Sequence, residues 1–141
     1  MLVAMTGAGG SMGSEALAQV MKQEGVRTRV LLTPRKGNDK LEKELVKQYG
    51  ARIEILRGQV YDKKTCEKLV SGADMLVNMA AVIPPRSDKD PKASYLCNYK
   101  GAVCLADAAA NAAVQPKFIH ISTVAVYGNR TLEHPWGRPG D

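Results

Sequence analysis

Leu2-Val3-Ala4-Met5-Thr6-Gly7-Ala8-Gly9-Gly10-Ser11-Met12-Gly13 opens the chain, and the fold turns on how this stretch is read. Leu2 to Met5 is a short apolar run without polar alternation, the pattern of a strand buried on both faces. Glycines at 7, 10 and 13 follow directly. Glu15 to Gln23 then spaces Leu17, Val20 and Met21 as a helix does, and Gly25 supplies a stop. In that setting each glycine has a task. Gly7 permits the tight turn off the strand, Gly10 lets the backbone approach a pyrophosphate, and Gly13 lets the helix pack close to the sheet. The unpaired N–H groups and the positive dipole end of the helix then face the anion. The turn therefore predicts a dinucleotide cofactor, and its place between a buried strand and a helix separates it from an ordinary Gly-rich loop.

The alternation continues along the chain. Thr28 to Thr33 is β-branched and apolar, and Pro34 ends it. Lys40 to Gln48 gathers Leu41, Leu45 and Val46 on one helical face. Arg52 to Leu56 reads as a strand, Thr65 to Val70 as a short helix, and Met75 to Met79 as a buried strand. Ser94 to Ala112 predicts one long Ala-rich helix, and Phe118 to Ser122 a fifth strand. Strand and helix in repeated alternation predict right-handed parallel crossovers, hence an α/β, doubly wound sheet of about five strands. Residues 1–127 form the expected dinucleotide-binding unit. Residues 128–141 carry glycines, prolines and charges without periodicity and read as an irregular tail that leads toward a missing substrate and catalytic part.

Composition narrows the classes. The balance of 45% apolar and 24% charged residues is that of a folded globular domain. Aromatics are scarce, which suits helices packed on a sheet better than an aromatic-rich sandwich. The net charge of +6 raises the question of nucleic acid. However, the basic residues are scattered among acids and never interleave with aromatics, so a nucleic-acid partner is not expected. Cys66, Cys97 and Cys104 show neither a C-x-x-C pair nor zinc spacing, so no metal is expected. They read as free thiols of a reducing cytoplasm. No apolar stretch is long enough for a bilayer, and Gly7 to Gly13 interrupts any signal-peptide core, so no membrane partner is expected either.

Further motifs carry a resemblance. Thr6-Gly7-x-x-Gly10-x-x-Gly13, Asn78-Met79-Ala80-Ala81, Asn98-Tyr99-Lys100-Gly101-Ala102 and His120-Ile121-Ser122-Thr123-Val124-Ala125-Val126-Tyr127-Gly128 occur in an order and spacing that resemble the extended short-chain dehydrogenases/reductases. That group includes the NAD-dependent epimerases and dehydratases, and the likeness covers nearly the whole chain. It implies a Rossmann-type sheet of order 3-2-1-4-5, here C-terminally truncated. It also implies that Ser11 and Met12 contact the pyrophosphate and that Ala80 and Ala81 run under the cofactor ribose. Gln59-Val60 stands where the family often has an Asp-Leu pair at the adenine: the apolar wall survives, and an amide replaces the carboxylate. Asn98 is implied on the nicotinamide side.

Cofactor choice is read after the second strand. There the chain has Thr33-Pro34-Arg35-Lys36, and the first acid is Asp39. Without a carboxylate to repel a phosphate, Arg35 and Lys36 predict NADP in preference to NAD. For catalysis the family uses a Tyr with a Lys four residues on, assisted by a Ser or Thr that corresponds to Thr123. The residues four beyond Tyr49, Tyr61, Tyr95, Tyr99 and Tyr127 are Ile53, Thr65, Tyr99, Val103 and Thr131, none of them Lys. The expectation is therefore the cofactor-binding segment of an oxidoreductase or a sugar-nucleotide epimerase/dehydratase, inactive by itself toward a small-molecule substrate. It would leave a strand edge open to self-association. The alternative is a non-catalytic NADP-binding or redox-sensing module. His120 reads as a packed or supporting histidine, Cys97 and Cys104 as core packing, and His134 as a solvated tail residue.

Overall fold

β1 (Leu2–Thr6) is the axis of a five-stranded, all-parallel sheet ordered β3-β2-β1-β4-β5. The computed structural model describes residues 1–123, so the expectations for Tyr127, for His134 and for the tail at 128–141 lie outside the described residues. The other strands are β2 (Arg27–Leu32), β3 (Ile53–Arg57), β4 (Met75–Asn78) and β5 (Lys117–His120). The doubly wound architecture and strand order anticipated from the alternation and the family likeness are those found.

Alternation along β1 sends Val3 and Met5 to one face and Ala4 to the other, and each face is closed by helices, which is why the run lacks polar positions. On the first face Val3, Met5, Val30 and Leu32 pack with Leu17 and Met21 of α1 (Ser11–Met21) and Leu45 of α2 (Asn38–Tyr49). On the second, Ala4, Leu31 and Leu76 pack with Cys66 and Leu69 of α3 (Lys63–Val70). Leu105 and Ala108 of α6 (Gly101–Ala110) complete that layer. Two short helices, α4 (Arg86–Lys89) and α5 (Pro91–Ser94), follow β4.

The expected helix from Ser94 to Ala112 starts earlier and is not uniform. Asp90 caps α5 by accepting from the Ala93 N–H at 2.9 Å, and Pro91 fits the first turn, where its missing N–H costs nothing. A π-helical segment, Tyr95–Lys100, then leads into α6. The first helix also starts earlier than its apolar spacing indicates, at Ser11, because the end of the glycine turn is itself its first turn.

Two arginines fasten helix ends to the sheet. Arg29 donates to the carbonyls of Lys68, Leu69 and Ser71 at 3.1, 3.1 and 2.7 Å, closing the C-terminus of α3. Arg52 does the same for the end of α1, donating to Met21, Gln23 and Val26 carbonyls at 2.7, 2.9 and 3.1 Å. Carbonyls left over at a helix end are thus met by cations, which also suit the negative end of the dipole. Among the described residues no helix is long and apolar enough to cross a membrane.

Leu76 is fully buried between α3, α6 and the sheet. Leu76→Ala is expected to lower the unfolding free energy by about 2–5 kcal/mol with an unchanged denaturant slope, as read by urea titration.

Candidate functional site

The C-terminal ends of β1, β2, β3 and β4 open on a cleft of about 510 Å³. One wall is the turn from β1 into α1. Gly7 has φ +73, and a Cβ there would lie 2.5 Å from the Met79 carbonyl oxygen. A Cβ at Gly13 would collide with the Gly7 carbonyl. Glycine is required at both, for backbone approach between segments. At Gly10 the nearest atom to a Cβ is the Gly7 oxygen at 3.4 Å, so room is left on the cleft side for a ligand. Gly10 precedes α1 with no side-chain cap, and the first turn holds no acid. The amides of Ser11, Met12 and Gly13 therefore lack helical partners, and no carboxylate competes for them.

The second wall follows β2. Buried Asn38 donates to the Thr33 carbonyl at 2.6 Å and to Thr33 Oγ1 at 3.4 Å, and its Oδ1 accepts from Arg35 Nε at 3.5 Å. This closes the loop 33–38 and keeps Arg35 on the cleft lining. The acids nearest in sequence are engaged elsewhere. Arg57 of β3 pairs with Asp39 at 2.7 Å and with Glu42, so both acids have a cation other than Arg35. Among the described residues neither Arg35 nor Lys36 forms an ion pair.

Val60, buried, and Gln59, half-buried, supply the wall after β3. Gly101 lets α6 approach this wall, since a Cβ there would lie 2.6 Å from Val60 Cγ1. After β4, Met79, Ala80, Ala81 and Val82 form the floor. Asn98, on the π-helical segment, ties down this floor: it accepts from the Val82 N–H at 2.7 Å and donates to the Val82 carbonyl at 2.9 Å. Cys97 also lines the cleft. Burial pushes its thiol pKa up, with Arg86 acting in the opposite sense, so it is a poor nucleophile.

Of the residues singled out from sequence, Gly7, Gly10, Arg35, Gln59, Val60, Ala80 and Ala81 meet around this cleft. Gly13 lies buried behind the turn, and Ser11 and Met12 are exposed in the first turn of α1. Lys36 and Asn98 lie outside the lining, and Thr123 is exposed just beyond β5. Sequence reasoning missed Asn38, whose partners lie in its own loop, and Thr6. The Thr6 hydroxyl accepts from the Met79 and Ala80 N–H groups at 3.2 Å each, tying the first strand to the floor.

The sequence profile of the NAD dependent epimerase/dehydratase family matches residues 3–137. The chain belongs to that family. Solved structures share its fold. Pen from Bacillus thuringiensis superposes with a TM-score of 0.78 at 21% identity, over 90% of this chain and 38% of that one. A UDP-glucuronic acid 4-epimerase from Bacillus cereus gives 0.75 at 24%, over 93% and 43%. Uronate dehydrogenase from Agrobacterium tumefaciens gives 0.65 at 19%, over 86% and 40%. The chain thus spans between 38 and 43% of the length of these structures.

Because a Cβ at Gly13 has no space, Gly13→Ala is expected to cost about 2 kcal/mol or more of stability, seen as a lowered thermal midpoint. A midpoint equal to that of the unaltered chain would refute the close-approach account of this turn.

Proposed function

We propose that this chain binds a nicotinamide dinucleotide in the cleft at the ends of β1 to β4, as the cofactor-binding part of an oxidoreductase or epimerase/dehydratase. The observation that carries the reading is the glycine turn: two positions closed to any side chain and a third, Gly10, open toward the cleft. The first-turn amides of α1 would take the pyrophosphate. Val60 and Gln59 would hold the adenine, one by apolar contact and one through its amide, and Ala80 and Ala81 would lie under the ribose. Bound there, the cofactor supplies hydride transfer. Thr123 would assist at the substrate as a hydrogen-bonding hydroxyl, and the family's Tyr/Lys pair is not among the residues of this chain.

The proposal extends to NADP over NAD. Arg35 sits at the mouth of the cleft with the neighbouring acids drawn off by Arg57, and Lys36 adds a second charge. Such a loop attracts the extra phosphate on the adenosine ribose, and Thr33 to Lys36 carry no carboxylate of their own. The same cleft also fits a second reading, a binding or redox-sensing module without turnover. β5 pairs with β4 alone among the described residues, and self-association along the other flank, unpaired among those residues, belongs to the same proposal.

Calorimetric titration of the chain with NADPH and NADH is the test. Binding of NADPH in preference to NADH is expected, and Arg35→Ala should weaken NADPH by roughly tenfold while leaving NADH unchanged. Failure of both nucleotides to bind at millimolar concentration overturns the cofactor reading. Equal affinities in the unaltered chain overturn only the NADP preference. Carbonyl-reductase turnover by the chain alone would rule out the module without turnover.

A further inference from the structure

The cleft floor depends on a polar row that the glycine turn does not explain. Thr6, Asn78 and His120 are register partners on three adjacent strands, β1, β4 and β5. Thr6 and Asn78 are each 1% exposed, whereas His120 is exposed. Thr6 Oγ1 donates to Asn78 Oδ1 at 2.5 Å, and the Ala80 N–H reaches the same Oδ1 at 3.3 Å. Thr6 Oγ1 already accepts from the Met79 and Ala80 N–H groups, so its own proton needs the amide oxygen as acceptor; the oxygen therefore faces Thr6 and Ala80, and the amide nitrogen faces the other way. That nitrogen lies 3.0 Å from His120 Nδ1. Since an amide nitrogen also only donates, Nδ1 must be an acceptor, and the neutral ring carries its proton on Nε2.

We infer that His120 is a positioning residue for the cofactor: through its Nδ1 it fixes the Asn78 amide, which with Thr6 holds Met79 and Ala80 at the cleft floor. The inference rests on the dinucleotide-binding reading. His120 has no place on the cleft lining and acts only through Asn78. Removing the ring acceptor leaves a buried amide donor unpaired and frees Asn78 to turn over. In the turned state its nitrogen opposes the Ala80 N–H, and the Thr6 hydroxyl loses its acceptor. The two backbone amides that shape the floor would then be held by Thr6 alone, whose oxygen would have to serve three donors.

The test combines a spectroscopic and a binding readout on the 141-residue chain. The chain has two histidines, so nitrogen-15 NMR of the rings, with His120→Asn to assign the signal, reads the tautomer directly. The expected ring is protonated on Nε2 and bare on Nδ1. In parallel, NADPH affinity is measured for His120→Asn and His120→Leu. The Asn oxygen can stand where Nδ1 stood, so His120→Asn should bind within about twofold of the unaltered chain, and His120→Leu roughly tenfold more weakly. A ring protonated on Nδ1 overturns the inference. So does a His120→Leu chain that binds as well as the original, or a His120→Asn chain that binds no better than His120→Leu. An unaltered chain that binds neither NADPH nor NADH overturns the cofactor reading and the positioning role with it. Binding by the original but not by the ranking above removes the positioning role alone.

Discussion

Three backbone segments meet at the head of β1 with no side chain between them. The Gly7 turn rests on the carbonyl of Met79, and Gly13 brings α1 down onto the carbonyl of Gly7. The cleft, the start of α1 and the position of the β4 floor all depend on this contact. Any side chain there would lift the helix from the sheet and move its first-turn amides away from the place where a phosphate has to sit. Thr6 then adds directional bonds to a contact that is otherwise only steric, because its hydroxyl gathers the Met79 and Ala80 amides. Packing sets the distance between the two loops, and hydrogen bonds set their angle.

The parts of this arrangement that were legible in sequence are those written in local spacing. Glycines at fixed intervals between an apolar run and a helical pattern require a particular turn, and the alternation of strand and helix requires a particular class of sheet. Helix starts were less legible. Ser11 and Pro91 begin their helices inside stretches that read as turn or loop, because caps and glycine turns do not show in apolar periodicity. The row through Thr6, Asn78 and His120 was least legible of all, since its members are separated by 72 and 42 residues and become neighbours only once the strand order is known. Asn98 was singled out by likeness to a motif, and its hydrogen bonds to the Val82 backbone become visible only in the structure.

Three of the arginines have structural roles. Arg29 and Arg52 each serve three carbonyls near a helix end, and Arg57 serves two acids. Arg29 does this through Nη1 alone, and Arg52 through both Nε and Nη2. Arg29 and Arg52 close the ends of α3 and α1, and Arg57 at the end of β3 holds Asp39 and Glu42 of α2.

The π-helical segment at Tyr95–Lys100 has a consequence for how the last described helix works as a part. A wider turn takes in roughly one additional residue, and one residue is about 100° of rotation on a helix. The rod therefore has two bearings set out of phase. Its stem presents Leu105, Ala108 and Ala109 to the sheet, while its head presents Asn98 to Val82. A uniform α-helix would have one azimuth to serve both contacts. With a phase step between them, the stem can be shaped for packing and the head for holding the floor, and drift in one need not misalign the other.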